Sequence, residues 1–205
     1  MSKPLTIAVP KGYLMKETVA LFKKAGIEFP DEFEQSRRLF TLDKSGNYKL
    51  IMVRPWDVPA YVEQGAADLG VVGRDVLYEQ EPDVLILKDL KFGYCKLVIA
   101  GMQDQAIDRL HHHCKVVTKY PHSANKYFAK LGKKVRLIKL YGAIELGPLT
   151  GLSDVICDLT ATGKTLAEHD LKVLDTVFES TAHLIANRVG MNVHYEQISA
   201  IANAI

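Results

Sequence analysis

Cysteine is scarce in this sequence, with three residues in 205. Cys95, Cys114 and Cys157 form no Cys-x-x-Cys pair and leave an odd thiol over. That excludes a disulfide framework and a cysteine-based zinc site, and it fits a reducing compartment. No apolar run approaches the roughly 18 residues of a membrane span. At the N-terminus only Leu5 to Val9 stand before Pro10 and Lys11, too short a run for the core of a signal peptide. An excess of one charge is also lacking: 26 basic and 24 acidic residues leave +2. A nucleic-acid-binding domain would carry a stronger basic footprint. No repeat, low-complexity tract or Gly/Pro-rich linker marks a boundary. What is present is ordinary: 48% apolar and 24% charged residues exclude a disordered, collagen-like or coiled-coil chain. The composition describes a globular protein, expected in the cytoplasm, long enough to bury about 70% of its unfolded surface without a metal or disulfide.

Short β-like runs alternate with helix-like ones. Strands are predicted at 5–9, 69–72, 84–87, 96–100, 116–118, 135–139, 155–158, 173–177 and 183–186, and a hairpin at 38–42 and 48–54 turns at 44–47. Helices are predicted at 13–25, around Tyr61 and Val62, at 74–80, 103–111 and 121–131, from 163, and over 193–204. Pro59 suits a first helical turn. This alternation argues for an α/β fold with mostly parallel sheets.

The run Val155-Ile156-Cys157-Asp158-Leu159-Thr160-Ala161-Thr162-Gly163-Lys164-Thr165-Leu166 carries the most chemistry. A buried strand enters a turn of small and hydroxyl residues and then a helix. Such a turn offers N–H groups to a phosphate, with Gly163 permitting close approach and Thr162 and Thr165 adding donors. Asp158 is placed to accept from sugar hydroxyls. Gly163-Lys164-Thr165 also ends a Walker A pattern, but the first glycine of that motif falls on Asp158, whose carboxylate repels phosphate. An ordinary capped helix fits the same letters. Lys11 and Gly12 open another helix after the first strand. Arg54 can pair bidentately with phosphate or with Asp57 or Glu63, and Gly73 precedes a helix start. Glu145, in a Gly-rich turn, is either a sugar- or base-facing acid or a helix N-terminal one. His111-His112-His113 reads as a solvated helix end, since adjacent helical residues do not share a face.

Taken together, VPKGYL (9–14), SRRLF (36–40), RPWDVPAYVEQGAADLGVVGRDVL (54–77), DLKFGYCKLVIAG (89–101), VVTKYPHSANKYF (116–128), IKLYGAIELGPLTGLSDVICDLTATGKTL (138–166) and STAHLIANR (180–188) resemble the ATP phosphoribosyltransferase family. The resemblance implies a two-lobed α/β architecture like that of periplasmic binding proteins, with the active site in a cleft. Lobe I would take 1–92 plus 178–205, and lobe II, carrying the phosphoribosyl loop, 93–177. The implied reaction joins N1 of ATP to C1 of phosphoribosyl pyrophosphate (PRPP), releasing pyrophosphate with magnesium bound to it rather than to side chains. The phosphoribosyl loop falls on Asp158, Thr160, Ala161, Thr162, Gly163, Lys164 and Thr165. Catalytic roles fall on Arg37, Lys11 and Glu145, and ATP or pyrophosphate contacts on Gly12, Tyr13, Arg54 and Gly73. Many members have arginine where this chain has Tyr13, which leaves Arg38, Arg54 or Lys11 to supply the cation, or a lower intrinsic rate.

The chain's end at Ile205 resembles the short form, without the histidine-binding regulatory domain. The resemblance then implies a homodimer that joins a regulatory subunit related to histidyl-tRNA synthetase in a hetero-octamer. Neither nucleic acid nor membrane is an expected partner. Two other readings remain at this point: a non-catalytic ligand-binding module on the same scaffold, which Tyr13 favours, and a P-loop ATPase.

Overall fold

A computed structural model describes residues 3–31, 33 and 36–205. The first half of the chain forms β1 (Leu5–Pro10), α1 (Tyr13–Lys24), β2 (Phe40–Leu42), β3 (Tyr48–Val53), α2 (Val58–Glu63), β4 (Leu69–Gly73), α3 (Arg74–Gln80), β5 (Leu85–Asp89) and β6 (Cys95–Met102). It continues through β7 (Lys115–Thr118), α4 (Pro121–Lys130), β8 (Arg136–Lys139), α5 (Leu146–Leu149), β9 (Val155–Thr160), α6 (Lys164–Glu168), β10 (Leu171–Ser180), β11 (Ala182–Ala186), α7 (Arg188–Val193) and α8 (Tyr195–Ala204). The chain divides into two compact units. Unit 1 is Met1–Leu77, Glu81–Gly93 and Thr181–Ile205, and unit 2 is Tyr78–Gln80 and Tyr94–Ser180.

Unit 1 is built on a sheet in the order β2-β3-β1-β4-β11-β5. Its central β1 is buried at every position because both faces are covered. Leu5, Ile7 and Val9 join Leu14, Met15 and Phe22 of α1 and Ile198 and Ile201 of α8 on one face. Ala8 joins Val58 and Val62 of α2 on the other. The β2–β3 hairpin takes its register, Phe40 opposite Ile51, from its turn. The Asp43 carboxylate accepts the N–H of Ser45 at 3.0 Å and of Tyr48 at 2.9 Å.

Unit 2 is built on a sheet in the order β10-β6-β9-β7-β8. Val98, Ala100, Val117, Ile144, Ile156, Leu166 and Leu171 form a core on one face, under α6 and the start of α5. Parallel pairings, β3–β1–β4 and β9–β7–β8, form the expected α/β part of each sheet. Antiparallel strands complete both, so each sheet is mixed.

Three local expectations change. Residues 103–111 hold only a 3₁₀ turn at Ile107–Arg109, not an α-helix. The Lys133 ammonium takes the carbonyls of Ile107 and Asp108, each at 3.1 Å, and that of Leu110, so these acceptors are satisfied from a distant segment rather than along a helix. His111, His112 and His113 accordingly sit on an exposed turn rather than a helix end. The tail is two helices, because Asn187 Oδ1 accepts the Gly190 N–H at 2.7 Å and caps α7 ahead of α8. Among the described residues no helix is long and apolar enough to cross a membrane.

Candidate functional site

In unit 2 the C-terminal end of β9 opens into a pocket of about 190 Å³ lined by Glu145, Asp158, Leu159, Thr160 and the turn through Thr165 to Leu166. Strand ends of this kind, where parallel strands run out, are where open α/β sheets bind ligands. The turn is closed by its own residues. The Gly163 N–H donates to Thr160 Oγ1 at 2.9 Å, which leaves the threonine proton to donate elsewhere. Gly163 has φ +76, in the left-handed region that favours glycine, and a Cβ there would meet nothing within 4 Å. The glycine is required by the backbone, not by crowding. Because α6 is only five residues long, the turn's own N–H and hydroxyl groups, more than a helix dipole, would hold an anion.

Glu145 starts α5 and makes no capping bond with its side chain, so it is both a helix-start acid and a pocket wall. Asp158 lies within strand β9, two residues before its end. A Walker A loop would need a turn glycine at that place, so the P-loop reading fails on backbone geometry. Burial, and then the negative charge of Glu145, push the Asp158 carboxyl up to about 6, against a backbone hydrogen bond from Leu159 and the charge of Lys119. Lys119 was not singled out from the sequence. Its signal is a cation directly after a strand (VVT-K), visible only once β7 is known to lie beside β9. Cys157 is fully buried, and burial drives its thiol upward, so it offers the pocket no thiolate.

Unit 1 gathers the other candidates at the corresponding edge of its own sheet. The parallel strands β3, β1 and β4 end at Val53, Pro10 and Gly73. Arg54 follows the first, Lys11 and Gly12 the second. The Lys11 N–H donates to the Val53 carbonyl at 2.8 Å, and the Met52 N–H to that of Leu39 at 2.8 Å. Arg37 and Arg38, just ahead of β2, therefore leave the sheet at this same edge. Lys11, Arg37, Arg38 and Arg54 are all exposed. Gly12 has φ 113 and ψ −148, a conformation for glycine alone, and Tyr13 is 64% exposed on the first turn of α1. Gly73 has an ordinary φ of −68; a Cβ there would overlap the folded-back Asp75 carboxylate. Among the described residues no group of three or more His, Cys, Asp and Glu could hold a metal ion.

A family model described as HisG, ATP phosphoribosyltransferase, matches residues 54–205. The chain belongs to the ATP phosphoribosyltransferase family. A relative of that name from Caldanaerobacter subterraneus subsp. tengcongensis is 45% identical over 197 residues, covering 96% of this chain and 93% of the relative. Among solved structures, an ATP phosphoribosyl transferase (HisG:HisZ) complex from Thermotoga maritima matches with TM-score 0.84 and 32% identity over 98% of this chain and 96% of that one. The periplasmic aliphatic sulphonate binding protein SsuA from Escherichia coli matches with TM-score 0.62 at 15% identity, over 100% of this chain and 73% of that one. This second likeness shows the fold alone. The ATP phosphoribosyltransferase fold of this chain is thus the periplasmic-binding-protein-like one. Its unit 2 brings Glu145 and 158–165 into one pocket, and its unit 1 brings Lys11, Gly12, Arg37, Arg54 and Gly73 to one sheet edge.

Proposed function

We propose that the chain transfers the 5-phosphoribosyl group of PRPP to N1 of ATP, giving N1-(5-phosphoribosyl)-ATP and pyrophosphate, the first step of histidine biosynthesis. The observation that carries this reading is the pocket that joins Asp158 and Glu145 to the Thr160–Thr165 turn, in a chain of this family. The turn suits the 5-phosphate: its hydroxyls and N–H groups are donors without competing charge. Above about pH 6 the Asp158 carboxylate accepts from the ribose hydroxyls and fixes the ring. Glu145, in the same pocket, orients the sugar or base.

In the chemical step the C1–O bond to pyrophosphate breaks as N1 of adenine forms the new C–N bond with inversion. Positive charge grows on the ribose and negative charge on the leaving oxygens. Lys11, Arg37 and Arg54 are assigned to neutralise the latter, and Gly12, Tyr13 and Gly73 to border the nucleotide. PRPP enters as its magnesium complex, so the ion is part of the substrate and lowers the charge on the leaving group. Positioning supplies much of the rest.

The assembly inferred is a homodimer that joins a histidyl-tRNA-synthetase-like regulatory subunit in a hetero-octamer; the similar HisG:HisZ complex from Thermotoga maritima supports the partner in this reading. A cytoplasmic location is supported by three free cysteines. The test is mass spectrometry of the purified chain with ATP, PRPP and magnesium, with and without the regulatory subunit and histidine. Phosphoribosyl-ATP made by the chain alone irrespective of histidine, and inhibited by histidine only with the subunit, is the expected result. No product in either setting would leave a binding module in its place.

A further inference from the structure

Two carboxyl groups, Glu145 and Asp158, line one small pocket of unit 2, and the charge of Glu145 disfavours ionisation of Asp158. The strand order shows where a counter-charge comes from. Strand β7 lies between β9 and β8, with Thr118 level with Cys157 on one side and Lys139 on the other. Val117 and Ile156 are level with each other and share the core beneath the pocket. One residue past the last paired positions, Thr118 and Cys157, come Lys119, just beyond the end of β7, and Asp158, still within β9.

The elements around the pocket carry these charged residues: Glu145 just ahead of α5, Lys164 on α6, Lys96 on β6, Lys119 directly after β7 and Lys139 on β8. Lys96 is 3.3 Å from Glu179, and Lys139 lies 5.5 Å over the Tyr141 ring. Lys119 is the cation whose charge acts on Asp158, against that of Glu145.

We propose that Lys119 is a positioning residue for the phosphoribosyl substrate, acting through Asp158: its ammonium, at the end of the middle parallel strand, supplies the counter-charge that lets the Glu145–Asp158 pair serve as acceptor for the ribose hydroxyls. This rests on the phosphoribosyl reading of the pocket. A protonated Asp158 would give up the charge-assisted bond to the sugar. Lys119 therefore governs the pH range over which PRPP is held, without touching the reacting atoms.

The experiment compares Lys119→Gln and Lys119→Arg with the parent chain, with Lys119→Met as the second neutral variant should Gln fail to fold. First, the Asp158 carboxyl is titrated by ¹³C NMR in the chain alone. Its midpoint should rise in the neutral variant and stay near the parent value in Lys119→Arg. Second, kcat/KM for PRPP is measured from pH 6 to 9 with the regulatory subunit present. The neutral variant should lose about 3- to 10-fold at pH 7 and recover toward pH 9, as its acid limb moves up. An unmoved Asp158 midpoint, or a loss equal at all pH values, overturns the proposal. The NMR titration needs no turnover. A moved midpoint in a chain that makes no phosphoribosyl-ATP would therefore sink the reaction assignment and leave the Lys119–Asp158 link standing.

Discussion

Glu145 and Asp158 come from different elements, the start of α5 and the end of β9, yet they line the same pocket, and the charge of the first raises the pKa of the second. A carboxyl held near 6, above its ordinary 3.8, is costly to ionise in the folded state. Between those values the native chain binds more protons than the unfolded one, so this group lowers stability as pH rises through the window, with the full penalty present above about 6. Asp158→Asn should therefore stabilise the chain at pH 7.5, by on the order of 2 kcal/mol. The gain should vanish below about pH 4. Thermal or urea unfolding at the two pH values checks this. The same substitution should cut kcat/KM for PRPP by roughly 100-fold, because charge-assisted bonds to the ribose are lost. In the parent chain kcat/KM should fall as pH drops through about 6.

Gly163 is the second place to press. Its φ of +76 is unfavourable for any other residue, although a Cβ would meet open space. Gly163→Ala should cost about 1 kcal/mol of stability through backbone strain alone. PRPP affinity should weaken more than stability does, since the turn must reopen to relax. Isothermal titration with PRPP and urea unfolding on the same sample separate the two effects.

Tyr13 is set by the family resemblance at a position expected to carry arginine in many members. It is exposed on the first turn of α1, beside Lys11 and Gly12. Tyr13→Arg should raise turnover of the chain alone about 3- to 10-fold by adding a cation for the departing pyrophosphate. Steady-state rates of product formation, with and without the regulatory subunit, report it. A smaller gain in the complex is expected if the subunit already supplies that function.

Thr118, the last residue of β7 and the one before Lys119, ties that strand to β9, which carries Asp158. Its hydroxyl donates to the Cys157 carbonyl at 2.6 Å and accepts the Tyr120 N–H at 2.8 Å, in a buried setting. Thr118→Val keeps the shape and strands both partners, so it should destabilise the chain by about 2–3 kcal/mol. Thr118→Ser should restore most of that. Urea midpoints of the three chains give the comparison.

Much of this protein could be read from residue order. The buried run Leu5–Pro10, the Asp43–Tyr48 turn and the passage from β9 through Gly163 into α6 follow from local pattern: apolar runs, turn residues and a glycine where the backbone must go left-handed. The chemistry of the pocket was legible for the same reason, because most of its lining is one continuous stretch of chain. Only the tertiary structure decided which strands became neighbours. It placed β11 between β4 and β5, lengthened β10 along β6 and set β7 beside β9. Those pairings rest on hydrogen bonds and burial between distant residues, which no local periodicity records. The stretch 103–111, expected to be a helix, is an irregular turn whose Ile107, Asp108 and Leu110 carbonyls are held by the distant Lys133. Lys119 stayed unnoticed because its meaning is its neighbour: a lysine after a strand is a solvated charge until the fold sets it at the same level as a half-buried aspartate.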